Sequence, residues 1–426
     1  MTQKPVRSSD GHGWRMSTME KQKNAYTWQF KARFRRNAFG WRSQPAVQRV
    51  KEAVSEIKKV ARKDKVLAGE GAVLFLERVS PALAHVDSSS GAIGAAVNKA
   101  VDALVDIIAA APVDADTRQG WLIRLWEAYE EDDIPYIEIL GDYWGQLCAD
   151  KALASNWADE LLPLCRMAWS PDPSLRGFFK GATNCLSALL AAERFDDILA
   201  LLETGPSKMW AYRRYGVKAL VAVGRRAEAI RYAEQKVGLN DNPVDIARAC
   251  EEILLSSGMA EEAYRRYGLV ANQAGTYLAW FRNLVRKYPK KETAEILRDL
   301  VAMTPGEEGK WFAAAKDAKL FNEAVDLANR SPCAPQTLIR AARDFVEKNP
   351  RFAVESGMAA VRWLVEGYGY EVTANDVNEA YDHTMQAAAN AGTESRTRER
   401  ISAVAAKTGA EASFVIRILA KRLQSG

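Results

Sequence analysis

Residues 222–231 read AVGRRAEAIR and residues 256–265 read SSGMAEEAYR, and the two stretches follow one pattern. Each places a glycine at the end of an apolar segment and follows it with charged residues and alanine. Glycine interrupts regular structure, whereas acidic residues and alanine favour the first turn of a helix. Both stretches therefore predict a short turn between two antiparallel helices.

Equivalent turns recur through the second half of the chain. Their first residues are Glu193, Gly224, Gly258, Pro289, Lys319 and Lys348, at steps of 31, 34, 31, 30 and 29 residues. An alanine stands five residues after the first turn residue in five of the six units, namely Ala229, Ala263, Ala294, Ala324 and Ala353, and Ile198 replaces it in the other. A small side chain there would let the second helix approach the first closely. Because a single hairpin cannot bury its apolar faces alone, residues 174–363 predict a tandem array of helical hairpins.

This region resembles tetratricopeptide-like (TPR-like) helical repeats in its turn glycines, Gly224 and Gly258, and in the five alanines. The resemblance implies an all-α fold, a right-handed superhelix of antiparallel helical hairpins (a TPR-like α-solenoid) whose concave surface binds a protein or peptide. Seven positions before each turn the family has a small residue, where this chain has Leu186, Val217, Glu251, Arg282, Phe312 and Ala341. No peptide-binding residue is therefore carried over. The whole chain also resembles a bacterial family of repeat proteins of unassigned function, which implies the architecture alone.

The remaining sequence predicts further helices around the array. Apolar residues at three- and four-residue steps predict helices over residues 44–63, 67–86, 90–111, 114–131, 135–149 and 156–169. Three more are predicted over residues 373–391, 394–407 and 410–423. The predicted organisation is an N-terminal arm (1–43), an N-terminal helical region (44–173), the repeats (174–363) and a C-terminal helical cap (364–426).

Composition favours a soluble, cytoplasmic protein. Hydrophobic residues make up 48% and charged residues 27%, and the most apolar window, residues 92–113, is interrupted by charges. The first residues contain no apolar segment typical of a signal peptide, and Met16 and Met19 are alternative initiators to Met1. The cysteines are dispersed and form no CxxC pair, which favours reduced thiols. They are Cys148, Cys165, Cys185, Cys250 and Cys333.

The most suggestive segment for binding is residues 26–42, YTWQFKARFRRNAFGWR. Up to Lys65 the chain has 17 lysines and arginines against 5 acidic residues, whereas the remainder has 42 against 49. Tyr26, Phe30 and Phe34 would form an aromatic stripe on a helix. The candidate contacts are Lys31, Arg33, Arg35, Arg36, Arg42, Phe30, Phe34 and Trp41. The aromatic residues could dock the arm on the body, stack on nucleic-acid bases between phosphate-binding cations, or meet a partner protein or a membrane surface.

No motif for catalysis, a cofactor or a metal stands out. The histidines His12, His85 and His383 are not at ligand spacing from one another, and HExxH and GxSxG are absent. Residues 306–311, GEEGKW, are too short for a phosphate-binding loop and predict a turn. The favoured function is therefore a non-enzymatic interaction or scaffold protein that binds an unidentified protein or peptide on the repeats. The alternatives are a nucleic-acid-associated protein that uses the basic arm, and an enzyme whose site is built from scattered residues.

Overall fold

The structure, a computed structural model, describes residues 26–205, 209–235, 241–407 and 414–424. Within those ranges every regular element is a helix and no strand occurs, which confirms the predicted all-α class. The chain divides into two compact units, Met1–Pro206 (unit 1) and Ser207–Gly426 (unit 2). His12, Met16 and Met19 lie outside the described residues. The predicted domain boundaries, at residues 43, 173 and 363, stay predictions.

The helices of unit 1 follow the predicted order closely. They are α1 Gln29–Arg33, α2 Ser43–Ala61, α3 Lys65–Ala82, α4 Ala92–Ala109, α5 Ala115–Glu130, α6 Trp144–Cys148, α7 Lys151–Ala168, α8 Ala182–Ala191 and α9 Phe195–Thr204. The prediction of one helix over residues 135–149 is wrong. The structure has a 3₁₀ helix, Glu138–Tyr143, followed by the short α-helix α6. This segment packs closely against α8. A side chain at Gly141, inside the 3₁₀ helix, would come within 2.9 Å of Asn184 Oδ1 on α8.

Aspartate side chains cap three of the five long helices of unit 1, α3, α5 and α7, and aromatic rings fill its core. The carboxylates of Asp64, Asp114 and Asp150 accept backbone N–H groups three residues later at 2.9, 2.8 and 3.0 Å, which satisfies otherwise unpaired donors. Trp144 is fully buried, and its ring centroid lies 5.0 Å from that of Trp157 on α7. Among the described residues, no helix combines the length and apolar composition of a membrane span.

Unit 2 consists of helical hairpins followed by the predicted cap helices. Its helices are α10 Trp210–Ala222, α11 Arg226–Glu234, α12 Pro243–Ser256, α13 Ala260–Ala263, α14 Leu269–Ala271, α15 Tyr277–Lys287, α16 Thr293–Met303, α17 Phe312–Asp317, α18 Phe321–Arg330, α19 Pro335–Phe345, α20 Pro350–Val365, α21 Ala374–Ala391, α22 Glu394–Lys407 and α23 Phe414–Gln424. A π-helical turn, Tyr264–Gly268, joins α13 to α14, and a 3₁₀ helix, Glu308–Trp311, precedes α17.

Four of the six predicted turns share one backbone geometry. Their first residues, Glu193, Gly224, Gly258 and Lys319, have φ of 58°, 81°, 75° and 62°. In each turn the next N–H bonds the carbonyl oxygen five residues back, as in Met259 N to Leu254 O at 2.9 Å. This arrangement ends one helix in a left-handed residue, and the second helix begins two residues after that residue. The turn after Lys348 differs, because the Asn349 side chain caps α20 instead.

The hairpins of unit 2 pack with equivalent helices side by side. Second helices are joined by Tyr267 OH to Glu234 at 2.6 Å, and by Trp363 Nε1 to the Ala328 carbonyl oxygen at 2.7 Å. First helices are joined by the Arg282–Asp317 ion pair at 2.6 Å. Each contact spans 33 to 35 residues, close to one predicted repeat.

The repeated alanine position is buried in most units. Ala229, Ala263, Ala324 and Ala353 are fully buried. Ala294 is only half-buried, since its connector is longer and α16 begins at Thr293, four residues after the first turn residue.

Candidate partner-binding surfaces

The aromatic residues of the N-terminal arm are docked on α3. Phe30 and Phe34 are buried, with ring centroids 5.6 and 5.1 Å from that of Phe75. The predicted stripe of Tyr26, Phe30 and Phe34 is wrong in one member, because Trp28 is buried with the two phenylalanines while Tyr26 is exposed. The helix α1 spans only five residues, so Trp28 reaches the core from extended backbone. Neither phenylalanine ring has a face open to a base or a partner.

Polar contacts also fix the arm to unit 1. The Glu56 carboxylate accepts the N–H groups of Gln29 and Phe30, at 2.9 and 3.2 Å, at the start of α1. Farther along, the Asn37 N–H donates to the Pro81 carbonyl oxygen at 2.9 Å. The arm from residue 26 onward is therefore a built-in part of the fold.

The predicted cationic contacts lie in different surroundings. Arg33 pairs with Glu52 at 2.8 Å, and Arg36 lines a cleft of about 550 Å³ together with Glu131 and Asp133. The remaining predicted cations, Lys31, Arg35 and Arg42, are exposed. The Trp41 side chain is 73% exposed and is the predicted aromatic contact that remains open.

The thiols are poorly placed for nucleophilic chemistry. All five cysteines are free and buried. Burial raises the pKa of Cys148 to about 12, that of Cys333 to about 12 and that of Cys250 to about 11. With pKa values this far above 7, these thiols stay protonated at neutral pH. The reactive form of cysteine is the thiolate, so they are poor nucleophiles. Across the described ranges, no three His, Cys, Asp or Glu side chains converge as metal ligands would.

Glu251 is the most deeply buried carboxylate in the repeats, at 0% exposure. It occupies the position before the turn where the resembled family has a small residue. One oxygen accepts Asn272 Nδ2 at 2.7 Å and Tyr288 OH at 2.6 Å, and the other accepts Lys287 Nζ at 2.5 Å. Both oxygens are thus engaged in holding α12, α14 and α15 together, which makes this cluster structural.

An arginine-rich surface lies between α20 and α22. Arg400 donates to both oxygens of Glu355, at 2.6 and 2.7 Å. This ion pair separates two clefts, of about 580 Å³ and about 280 Å³. We call the two together the arginine cleft. Besides the ion pair, its lining is Arg351, Val354, Ala391, Thr393, Arg396 and Thr397 on one side and Asn329, Met358, Arg362, Ala403 and Val404 on the other.

The charge of the arginine cleft is unbalanced. Arg351 and Arg396 are exposed and form no ion pair with any described carboxylate, and Glu355 is the single acidic residue of the lining. Arg362 is already engaged, with Glu366 at 2.8 Å. The buried side chains of Val354 and Met358 provide an apolar floor. The arrangement suits an anionic chain that also carries apolar groups.

Sequence reasoning missed the arginine cleft because its walls are 45 residues apart in the chain. One sign of the arginine cleft is present in the sequence. It is the basic run RTRER at residues 396–400, shortly after the turn at Gly392. No family model, curated protein or solved structure matches the chain.

Proposed function

We propose that the protein is a non-enzymatic interaction or scaffold protein that holds an acidic segment of a partner protein in the arginine cleft. The observation that carries the proposal is the pair of uncompensated arginines, Arg351 and Arg396, beside an apolar floor. Guanidinium groups bind carboxylates in a planar, two-pronged geometry, and apolar contacts add affinity without charge. A partner segment with acidic and apolar side chains satisfies both features.

In this proposal the hairpins of unit 2 form a right-handed superhelix of the tetratricopeptide type. The shared left-handed turns at Gly224, Gly258 and Lys319 support it, as do the contacts between equivalent helices one repeat apart. Such an array offers a long rigid surface, and the arginine cleft lies at its last predicted hairpin and the adjoining cap. The free buried thiols support a reducing, cytoplasmic setting.

The test is binding of defined peptides, measured by fluorescence anisotropy. A peptide of glutamate and leucine should bind the full chain, and a peptide of lysine and leucine should not. Arg351→Glu with Arg396→Glu should weaken binding of the acidic peptide at least tenfold, or about 1.4 kcal/mol, since two attractive charges become repulsive.

The matched control is Arg340→Glu with Lys290→Glu, two exposed cations outside the lining of the cleft, which changes the net charge equally. It should leave peptide affinity within about twofold of the unsubstituted chain. Equal losses in the control and in the variant of Arg351 and Arg396 would show that bulk charge, and not the arginine cleft, holds the peptide.

A further inference from the structure

Unit 1 carries a second cationic surface, formed by residues other than those of the arginine cleft. Residues 26–65 contain twelve lysines and arginines but three acidic residues. Each acid already has a partner in the structure. Glu52 pairs with Arg33 and Arg49 at 2.8 and 2.6 Å, while Glu56 caps α1 and Asp64 caps α3. The remaining cations of this stretch form no ion pair with a described carboxylate. They are Lys31, Arg35, Arg36, Arg42, Lys51, Lys58, Lys59, Arg62, Lys63 and Lys65, all exposed.

Helical spacing arranges the largest group of these cations in a line. Lys51, Lys58 and Arg62 are seven and four residues apart, so they lie in one row along α2 and its last turn. The row extends about 16 Å, and Lys59 and Lys63 stand beside it. We call these five residues the α2 ridge. Glu52 and Glu56 share the neighbouring row with Lys59 and Lys63, and their carboxylates contact Arg33 and Gln29 of α1.

The polar character of the row continues to the start of α2. Gln44, Gln48 and Ser55 occupy the intervening positions of the same face, and each is exposed. Trp41 precedes the helix with an exposed indole, and its carbonyl oxygen accepts the Asp87 N–H at 2.9 Å. One exposed aromatic ring and a row of cations thus lie along about 28 Å of one element.

We propose that the α2 ridge binds the phosphate backbone of single-stranded nucleic acid, with Trp41 stacking on a base. Regularly spaced cations on a rigid helix neutralise successive phosphates without reading sequence. An exposed tryptophan can stack on any unpaired base, whereas the bases of a duplex are already stacked on one another. The arm cations predicted from the sequence are less suitable, because Arg33 is paired and Arg36 lies beside Glu131 and Asp133.

The structure argues against a membrane at this surface. A helix that lies on a bilayer inserts an apolar face between the lipids. The apolar face of α2 is already buried within unit 1, including Val50, Ile57 and Val60. The ridge itself exposes cations and polar groups, which favours nucleic acid as the polyanion.

The experiment is a salt titration of a fluorescein-labelled oligothymidine bound to the full chain. Affinity should fall steeply with salt, because each neutralised phosphate of a single strand contributes about −0.7 to the slope of log affinity against log salt concentration. Replacing Lys51, Lys58 and Arg62 with glutamate should weaken binding at least tenfold. The corresponding glutamine variant should flatten the slope by about 2, since three contacts are lost.

The matched control replaces Lys99, Lys290 and Arg340, three exposed cations elsewhere, with glutamate. It changes net charge equally and should retain oligothymidine binding within about twofold. Trp41→Ala should weaken binding of oligothymidine severalfold. Binding of inorganic polyphosphate, which has no bases, should be unchanged.

The two surfaces are separable, because the ridge variants should keep the affinity of the arginine cleft for the acidic peptide. Two results would overturn the inference. One is equal loss of oligothymidine binding in the control and in the ridge variant. The other is binding of phosphatidylserine vesicles as tight as that of oligothymidine, which would assign the ridge to a membrane surface.

Discussion

A single turn residue decides where each hairpin folds back. The left-handed backbone at Gly224 and Gly258 suits glycine, which has no Cβ to clash with the following carbonyl oxygen. Glu193 and Lys319 adopt the same conformation with full side chains. For an L-residue that conformation costs about 1 kcal/mol, so the four turns share a geometry but differ in local strain.

This difference predicts opposite effects of exchanging the turn residues. Gly258→Ala should lower the free energy of unfolding by about 1 kcal/mol, and Lys319→Gly should raise it by up to about 1 kcal/mol. A Cβ at Gly258 would meet nothing within 4 Å, so the effect would be purely conformational. Urea unfolding followed by circular dichroism measures both. The control is Gly120→Ala inside α5, where alanine also meets nothing and should stabilise the helix. Shifts of the same sign in Gly258→Ala and Lys319→Gly would contradict the shared geometry.

At the scale of elements, local patterns determined the helices, but packing determined the exceptions. The periodicity of α2 and the start of α5 at Asp114 could be recognised from sequence, because a cap and an apolar face act within one helix. The starts of α3 and α7 were predicted two and five residues too late, at 67 and 156 instead of Lys65 and Lys151. The 3₁₀ helix Glu138–Tyr143 and the burial of Trp28 could not be recognised in this way, since each depends on a distant partner. Those partners are α8, against Gly141 of the 3₁₀ helix, and α3, against the indole.

The docked arm gives a prediction at this scale. An added Cβ at Gly71 would lie 2.1 Å from Trp28 Cζ2, so Gly71→Ala must displace the indole that anchors the arm. We expect tryptic cleavage at Lys31 and Arg35 to accelerate at least tenfold, which corresponds to about 1.4 kcal/mol in local opening. Gly94→Ala on α4 is the control, because nothing lies within 4 Å of its Cβ. Unchanged cleavage in Gly71→Ala would mean that Trp28 does not hold the arm.

At the scale of the whole molecule, the candidate surfaces were less predictable than the fold. The basic character of residues 26–65 was visible in the sequence. Which of its cations stay unpaired depends on the partners of Glu52 and Glu56, and those are known only from the structure. The arginine cleft depends on Arg400 reaching Glu355 across 45 residues. Periodicity reports which face of a helix is buried but not which exposed side chains from separate helices converge.

Three buried tyrosines should make unit 2 less stable at alkaline pH. Burial first, and hydrogen bonds to carboxylates second, raise the pKa of Tyr264, Tyr267 and Tyr288 well above the usual value. Their carboxylate partners accept at 2.6 Å, from Asp299, Glu234 and Glu251 respectively. A phenol whose pKa is raised by folding keeps its proton in the native state while the unfolded chain loses it.

The stabilising contribution of these tyrosines should therefore be complete below pH about 10 and decrease as the pH rises above it. Urea unfolding should show lower stability at pH about 11 than at pH about 8. Tyrosinate absorbance should show these residues titrating only as the protein unfolds. Tyr267→Phe should cost about 1 kcal/mol at neutral pH for the lost hydrogen bond, yet should flatten the alkaline dependence. If Tyr267→Phe and the unsubstituted chain lose stability in parallel above pH about 10, Tyr267 is not part of that dependence, and lysine deprotonation is the better explanation.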